Sequence, residues 1–124
     1  MDFIDKDSIT ALVSDSQTSH QLLWDENSAS ERITITRVHV HPGKTNARHR
    51  HETSEQVWIA LAGRGRLLLA DGATKEFSAG DVVRFADGDT HGIANDSDEE
   101  FVYLSVTSPP INFRYAYAGE RPKG

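Results

Sequence analysis

Gly43-Lys44-Thr45-Asn46-Ala47-Arg48-His49-Arg50-His51-Glu52-Thr53-Ser54-Glu55-Gln56 carries the densest chemistry in the chain. On extended backbone, side chains two apart share a face. His49 and His51 then project together, and Arg48 and Arg50 point the other way. Two protonated imidazoles side by side repel each other. A shared divalent cation removes that cost and uses the neutral nitrogen lone pairs. Spacing alone leaves two readings open, a metal site or an exposed strand edge with unrelated histidines.

The residues on either side read as short strands separated by turns. Arg32 to Val40 alternates apolar and polar residues and is rich in β-branched side chains until Pro42-Gly43 stops it. Gln56–Leu61, Arg66–Ala70, Asp81–Phe85 and Glu100–Thr107 repeat the pattern, and Pro109-Pro110 ends the last of them. Asp71-Gly72 is a hairpin dipeptide, after which residues 73–77 can pair back. His20–Trp24 fits an early strand, and Ser8–Val13 could make one helical turn. Such spacing of strands and turns predicts an all-β sandwich or barrel.

The length of 124 residues fits one domain. The net charge of −6 excludes ordinary non-specific nucleic-acid binding, which needs a basic surface, and argues against docking on anionic membranes. With no cysteine, disulfides, zinc ribbons, iron–sulfur clusters and thiol nucleophiles are excluded. The acidic N-terminus does not read as a signal peptide, and no apolar run reaches the ~20 residues of a membrane span. A soluble, cytoplasmic protein is expected.

Two blocks carry a family resemblance. The first runs from Gly43 through His49, His51 and Glu55-Gln56 to Gly63. The second runs from Gly80 through Ala86-Asp87-Gly88 and His91 to Asn95. They resemble the paired cupin motifs G-x5-H-x-H-x3,4-E-x6-G and G-x5-P-x-G-x2-H-x3-N, in the same order and separated by residues 64–79. The resemblance implies a double-stranded β-helix (jelly-roll barrel) made by residues 1–124. In it, 43–63 and 80–95 are the motifs, 1–30 an N-terminal arm with strands and 108–124 a C-terminal tail. It also implies one divalent metal bound by His49, His51, His91 and a fourth ligand, a small-molecule substrate or ligand, and a homodimer.

Two positions depart from the pattern. Ala86 stands where the family has proline, which loosens a turn. At the glutamate position, the shorter gap after His51 reaches Glu55, whereas the longer gap, or counting back from Gly63, reaches Gln56. Neighbouring residues face opposite sides of a strand, so only one can point inward. Gln56 is favoured because the other choice needs a bulge before Gly63, and Glu55 stays as the alternative ligand. A glutamine would leave a divalent ion its full +2 charge and so polarise a carbonyl or attract an enolate oxygen more strongly. Imidazole and oxygen donors suit Fe, Mn, Ni or Zn without choosing among them.

Other residues are candidates for the pocket. Trp58 shares a face with Gln56, and Tyr103 shares one with Ser105; each fits a pocket wall as well as it fits core or surface packing. Arg66 and Arg84 are candidate carboxylate clamps or plain surface residues. His39 and His41 form a second same-face pair outside either motif, at a surface, a subunit contact or a second metal site. His20 has no evident partner. The glutamine-bearing first motif looks like that of small cupins that rearrange unsaturated uronate sugars. The expected function is an enzyme acting on a sugar acid, keto or enol compound, by Lewis-acid isomerase or lyase chemistry or by Fe(II) dioxygenase chemistry. The alternative is a cupin that binds a small molecule or sugar without turnover.

Overall fold

A computed structural model describes residues 1–118. Two antiparallel sheets face each other. One has six strands in the order β1-β2-β3-β10-β5-β8, and the other has four in the order β4-β9-β6-β7. The elements are β1 (Thr10–Val13), β2 (Gln17–Leu23), β3 (Thr34–Val40), β4 (Thr45–His49), β5 (Glu55–Ala62), β6 (Arg64–Leu68), β7 (Thr74–Ser78), β8 (Val82–Phe85), β9 (His91–Ala94), β10 (Phe101–Ser108) and a short helix α1 (Arg114–Ala118). This is the expected jelly-roll barrel. No described helix is long and apolar enough to cross a membrane.

The alternating stretches became β3, β5, β6, β8 and β10, with ends moved by one or two residues. Two weak expectations resolve differently. A single 3-10 turn spans Lys6–Ser8 and gives way to β1, so Ser8–Val13 is mostly strand. The β-branched Thr10 and Val13 favour extended backbone, and β1 pairs along its full length with β2. β4 ends at His49, so His51 lies just beyond the strand. At Asp71-Gly72 both residues take positive φ, 58° and 75°, as a tight hairpin between β6 and β7 requires.

Cross-strand register divides the barrel interior into bands. Val40 faces Phe101, and Val38 faces Tyr103, which faces Ala60. Leu67, Phe77 and Ile93 of the four-stranded sheet close over these to make the core. Farther along the same strands the inward residues turn polar: Thr36, Ser105 and Trp58, then Thr34, Thr107 and Gln56. One end of the barrel is therefore a packed core. The other is lined by hydroxyls and amides.

The outer face of the six-stranded sheet carries an apolar patch among charged residues. Ile35, Val106 and Val57 align across three strands, as do Leu104, Ile59 and Val82 across their own register. Val82 and Leu61 are well exposed.

Gly63 ends β5 at φ 83°, and a Cβ there would stand 2.6 Å from the Glu100 carbonyl oxygen. Gly72 shares the positive φ but has open space around it. Gly72→Ala should therefore cost about 1–2 kcal/mol, the left-handed penalty alone. Gly63→Ala should cost about 3 kcal/mol or more, because backbone must also shift. Urea unfolding of the two variants measures the difference, and equal losses would contradict the close approach.

Candidate metal centre

β4 and β9 bring the two motifs together. They pair antiparallel with His49 opposite His91, across a register shift between Asn46 and His49. The approach is close: a Cβ on Gly92 would lie 2.8 Å from the Asn46 carbonyl oxygen and 3.0 Å from Ala47. The second-motif loop is tied to the first by the Gly88 amide, which donates to the His51 carbonyl at 2.8 Å. Asn95 is fully buried and fastens the end of that motif. Its Nδ2 donates to the carbonyls of Val40 (3.0 Å) and Glu99 (2.7 Å). Ala86 lacks the ring of a proline, yet its amide donates to Asp89 Oδ2 at 2.8 Å, which holds the turn.

The three imidazoles converge. Each offers one ring nitrogen, and the three nitrogens lie within 4.8 Å of one another. Hydrogen bonding fixes which nitrogen is free. His49 Nδ1 lies 2.9 Å from the Ala47 carbonyl and His91 Nδ1 lies 3.1 Å from the Asp89 carbonyl. A carbonyl only accepts, so both Nδ1 atoms carry hydrogen and both Nε2 atoms present lone pairs. The Nε2 atoms of His51 and His91 are buried with no protein hydrogen-bond partner. Two such orphans side by side are costly, at about 1–3 kcal/mol each. A divalent cation satisfies them, so the donor set fits a metal. His91 is further held by stacking on Phe85 (centroids 4.6 Å) and by the edge of Trp58 at 5.4 Å.

Burial keeps the His51 and His91 rings neutral. It lowers the His51 pKa to about 4 and the His91 pKa to about 3, with the neighbouring imidazoles adding to the effect. Burial raises the phenols of Tyr103, Tyr115 and Tyr117, so they stay protonated.

Gln56 points into the barrel, 4% exposed, opposite Phe85 on β8. Its Oε1 accepts from Trp58 Nε1 (2.9 Å), and its Nε2 donates to Thr107 Oγ1 (3.0 Å). Glu55, the alternative, lies on the outer face and pairs with Arg84 at 2.7 Å. The expectation of an unbulged β5 does not hold. Its register against β10 shifts between Val102 and Tyr103, leaving Leu61 as the extra residue. The bulge falls after Trp58, so it leaves the inward face of Gln56 unchanged.

Beside the histidines lies a cavity of about 200 Å³. Trp58, Tyr103 and Ser105 line it, and Gln17, Ser19 and Thr36 complete its polar side. Arg66 and Arg84 do not reach it, which corrects their expected place as carboxylate clamps. Strand parity turns both outward: Gly65 and Leu67 face in beside Arg66, and Val83 and Phe85 face in beside Arg84. Arg66 lies 3.9 Å from Asp96 on the surface.

The sequence reading left the tail without a role. Residues 109–117 fold back over the cavity, and Phe113, Tyr115 and Tyr117 line it; residues 119–124 of the tail lie outside the described residues. Arg114 grips Glu26 with two hydrogen bonds, 2.8 and 3.1 Å, and sits over the Trp24 ring at 5.1 Å. Ser54 Oγ donates to the Pro109 carbonyl, and Gln17 Nε2 donates to Tyr117 Oη at 2.6 Å. The alternating Phe-x-Tyr-x-Tyr of the tail was the available signal. His39 and His41 lie on the outer sheet face, where Glu100 meets both, at 2.8 and 3.6 Å. His20 packs edge-on to His39 at 5.0 Å.

The cupin domain family matches residues 36–107. This chain is a cupin. Solved structures share the fold at low identity. The polyketide cyclase RemF from Streptomyces resistomycificus is 23% identical, with a TM-score of 0.75 over 96% of this chain and 93% of that one. A predicted oxalate decarboxylase from Thermotoga maritima is 23% identical, with a TM-score of 0.74 over 86% and 98%. A sugar phosphate isomerase of the cupin superfamily from Silicibacter pomeroyi is 22% identical, with a TM-score of 0.71 over 86% and 74%.

The buried neutral histidines predict an acid sensitivity of the metal-free cupin. His51 and His91 titrate lower folded than unfolded, where histidine has a pKa of about 6.5. Stability is therefore flat above that value and falls as pH drops from about 6.5 towards 4, because only the unfolded chain takes up the protons. By pH 5 the loss is about 2 kcal/mol per histidine. Urea titrations at pH 7.5 and 5.0, after chelator treatment, should show this loss in wild type and a reduced one in a His51→Gln/His91→Gln variant. Equal pH dependence in both proteins would contradict the burial of neutral rings.

Proposed function

We propose that this cupin is a metal-dependent enzyme acting on a small oxygenated molecule. The observation that carries the reading is the convergence of three imidazoles, two with buried ring nitrogens that have no protein partner, beside a cavity. His49, His51 and His91 would hold a divalent ion. Gln56 is the proposed fourth ligand, since its Oε1 keeps a second lone pair beside the one Trp58 uses. With neutral donors only, the bound ion keeps its +2 charge and acts as a Lewis acid on a carbonyl or enolate oxygen, or, as Fe(II), supports oxygen chemistry.

The protein's own groups do the rest. The tail forms one wall of the cavity and narrows its access to water. Gln17 donates to Tyr117 Oη, which leaves the tyrosine hydrogen free for an acceptor on the ligand. No carboxylate lines the cavity among the described residues. Relatives of the same fold are named isomerase, decarboxylase and cyclase.

Elemental analysis of untagged protein should find close to one divalent ion per chain after loading with Fe, Mn, Ni or Zn. His91→Ala should bind roughly a hundredfold more weakly or worse, while His39→Ala keeps the metal. Absence of metal in wild type after loading with each ion would overturn the reading. Metal-dependent deuterium uptake next to the carbonyl of dihydroxyacetone, lost in His91→Ala, would establish turnover. Saturable ligand binding with no exchange, and no oxygen uptake with iron, would favour the binding-module alternative instead.

The apolar patch on the outer face of β3, β10, β5 and β8 supports a homodimer, because a two-fold partner presenting the same patch would cover it. Light scattering should give twice the 13.7 kDa chain mass, and Leu104→Glu should give the single-chain mass. A single-chain mass for wild type would refute the dimer.

A further inference from the structure

The cavity's charge, size and walls narrow its ligand, on the premise that it is the substrate site proposed above. Arg50 is the one Lys or Arg lining it among the described residues, and its Nε is paired with Glu52 at 2.6 Å. Arg50 is 63% exposed and its charge is balanced by Glu52, so an acidic group held among the buried walls away from the metal would meet no uncompensated cation. Burying an unpaired charge is strongly unfavourable. A second carboxylate or a phosphate on the ligand is thus disfavoured.

The walls are rings. Trp58 and Tyr103 lie face to face on the sheet, centroids 4.4 Å apart and tilted 32°. Phe113 and Tyr115 cover the same cavity from the tail, and Phe113 meets the His51 ring edge at 5.8 Å. Aromatic side chains favour a flat aromatic partner through edge or face contact. The remaining lining donors and acceptors, Thr36 and Ser105 among them, are uncharged and suit hydroxyl or carbonyl oxygens. Size sets the last limit. A cavity of about 150 Å³ takes benzene. One of about 200 Å³ is matched in size to a single substituted ring.

We infer that the cavity accepts a neutral, planar, single-ring oxygenated compound, a phenol or a cyclic enol, and selects against acidic or puckered sugars. Phe113 and Tyr115 are the specificity-determining residues, because they supply the part of the aromatic wall that belongs to the tail. Both lie outside the core, so truncating them leaves the barrel intact.

Calorimetry on the full chain, zinc-loaded and chelator-treated, tests this with catechol, cis-cyclohexane-1,2-diol and glucuronate as probes. Catechol should bind at least tenfold more tightly than the other two. The ranking should persist in the metal-free chain at lower absolute affinity. Phe113→Ala and Tyr115→Ala should each weaken catechol about tenfold, move the diol less than twofold and leave bound zinc unchanged. Glucuronate or the diol binding as tightly as catechol in both forms would overturn the inference, as would unchanged catechol affinity in the two variants. Failure to load zinc would sink the metal reading alone, since the ranking in the metal-free chain still decides this one.

Discussion

The site depends on how closely β4 and β9 run. His49 and His91 belong to different motifs, and only the pairing of these two short strands puts their rings 4.5 Å apart. That approach is possible because Gly92 has no Cβ to strike the backbone of Asn46 and Ala47. Once the strands are this close, backbone carbonyls at Ala47 and Asp89 capture the Nδ1 hydrogens and turn both Nε2 lone pairs to one side. The tautomer is thus a product of backbone geometry. The chemistry of the cavity follows from that choice, since a ring presenting N–H could not ligate a cation.

Much of the barrel was legible because its strands are half-buried. Such strands must alternate, and β3, β5 and β10 do so over most of their length. β4 was hard to see for the complementary reason. It is almost wholly exposed, so no apolar residues mark it, and only its histidines drew attention. Glu55 and Gln56 could not be separated by counting, because a bulge changes the count without changing the faces that precede it. Pairing decides between them: Gln56 opposes Phe85 on the inner side, while Glu55 meets Arg84 outside. The tail was illegible because its strongest signal follows Pro109-Pro110, where periodic strand structure ends. Its three aromatic residues acquire meaning only from the open barrel end they cover.

The polarity step inside the barrel explains why that end stays open. Core residues fill space by packing, and the band from Val40 to Tyr103 does so with large rings. Thr34, Thr107 and Gln56 cannot be buried without hydrogen bonds. Gln56 meets this need by bridging Trp58 and Thr107, and Gln17 by bonding Tyr117 of the tail and accepting from Asn46. The polar band therefore consumes its donors and acceptors in holding the walls apart. A cavity beside the histidines is what remains when neither apolar packing nor a charged pair closes the space.

A lining without carboxylates also sets what the metal would have to do. In a site with a carboxylate ligand, part of the ion's charge is cancelled before the substrate arrives. Here the converging donors are imidazoles, with the proposed Gln56 amide, aromatic rings and uncharged hydroxyls along the same cavity. The substrate oxygen is then the first group able to carry negative charge to the ion. Charge developing on that oxygen during enolisation would be stabilised more than the neutral ground state. The tail supplies one wall beside this site, and its Arg114–Glu26 clamp lies outside the cavity, where it anchors that wall without adding charge to the site.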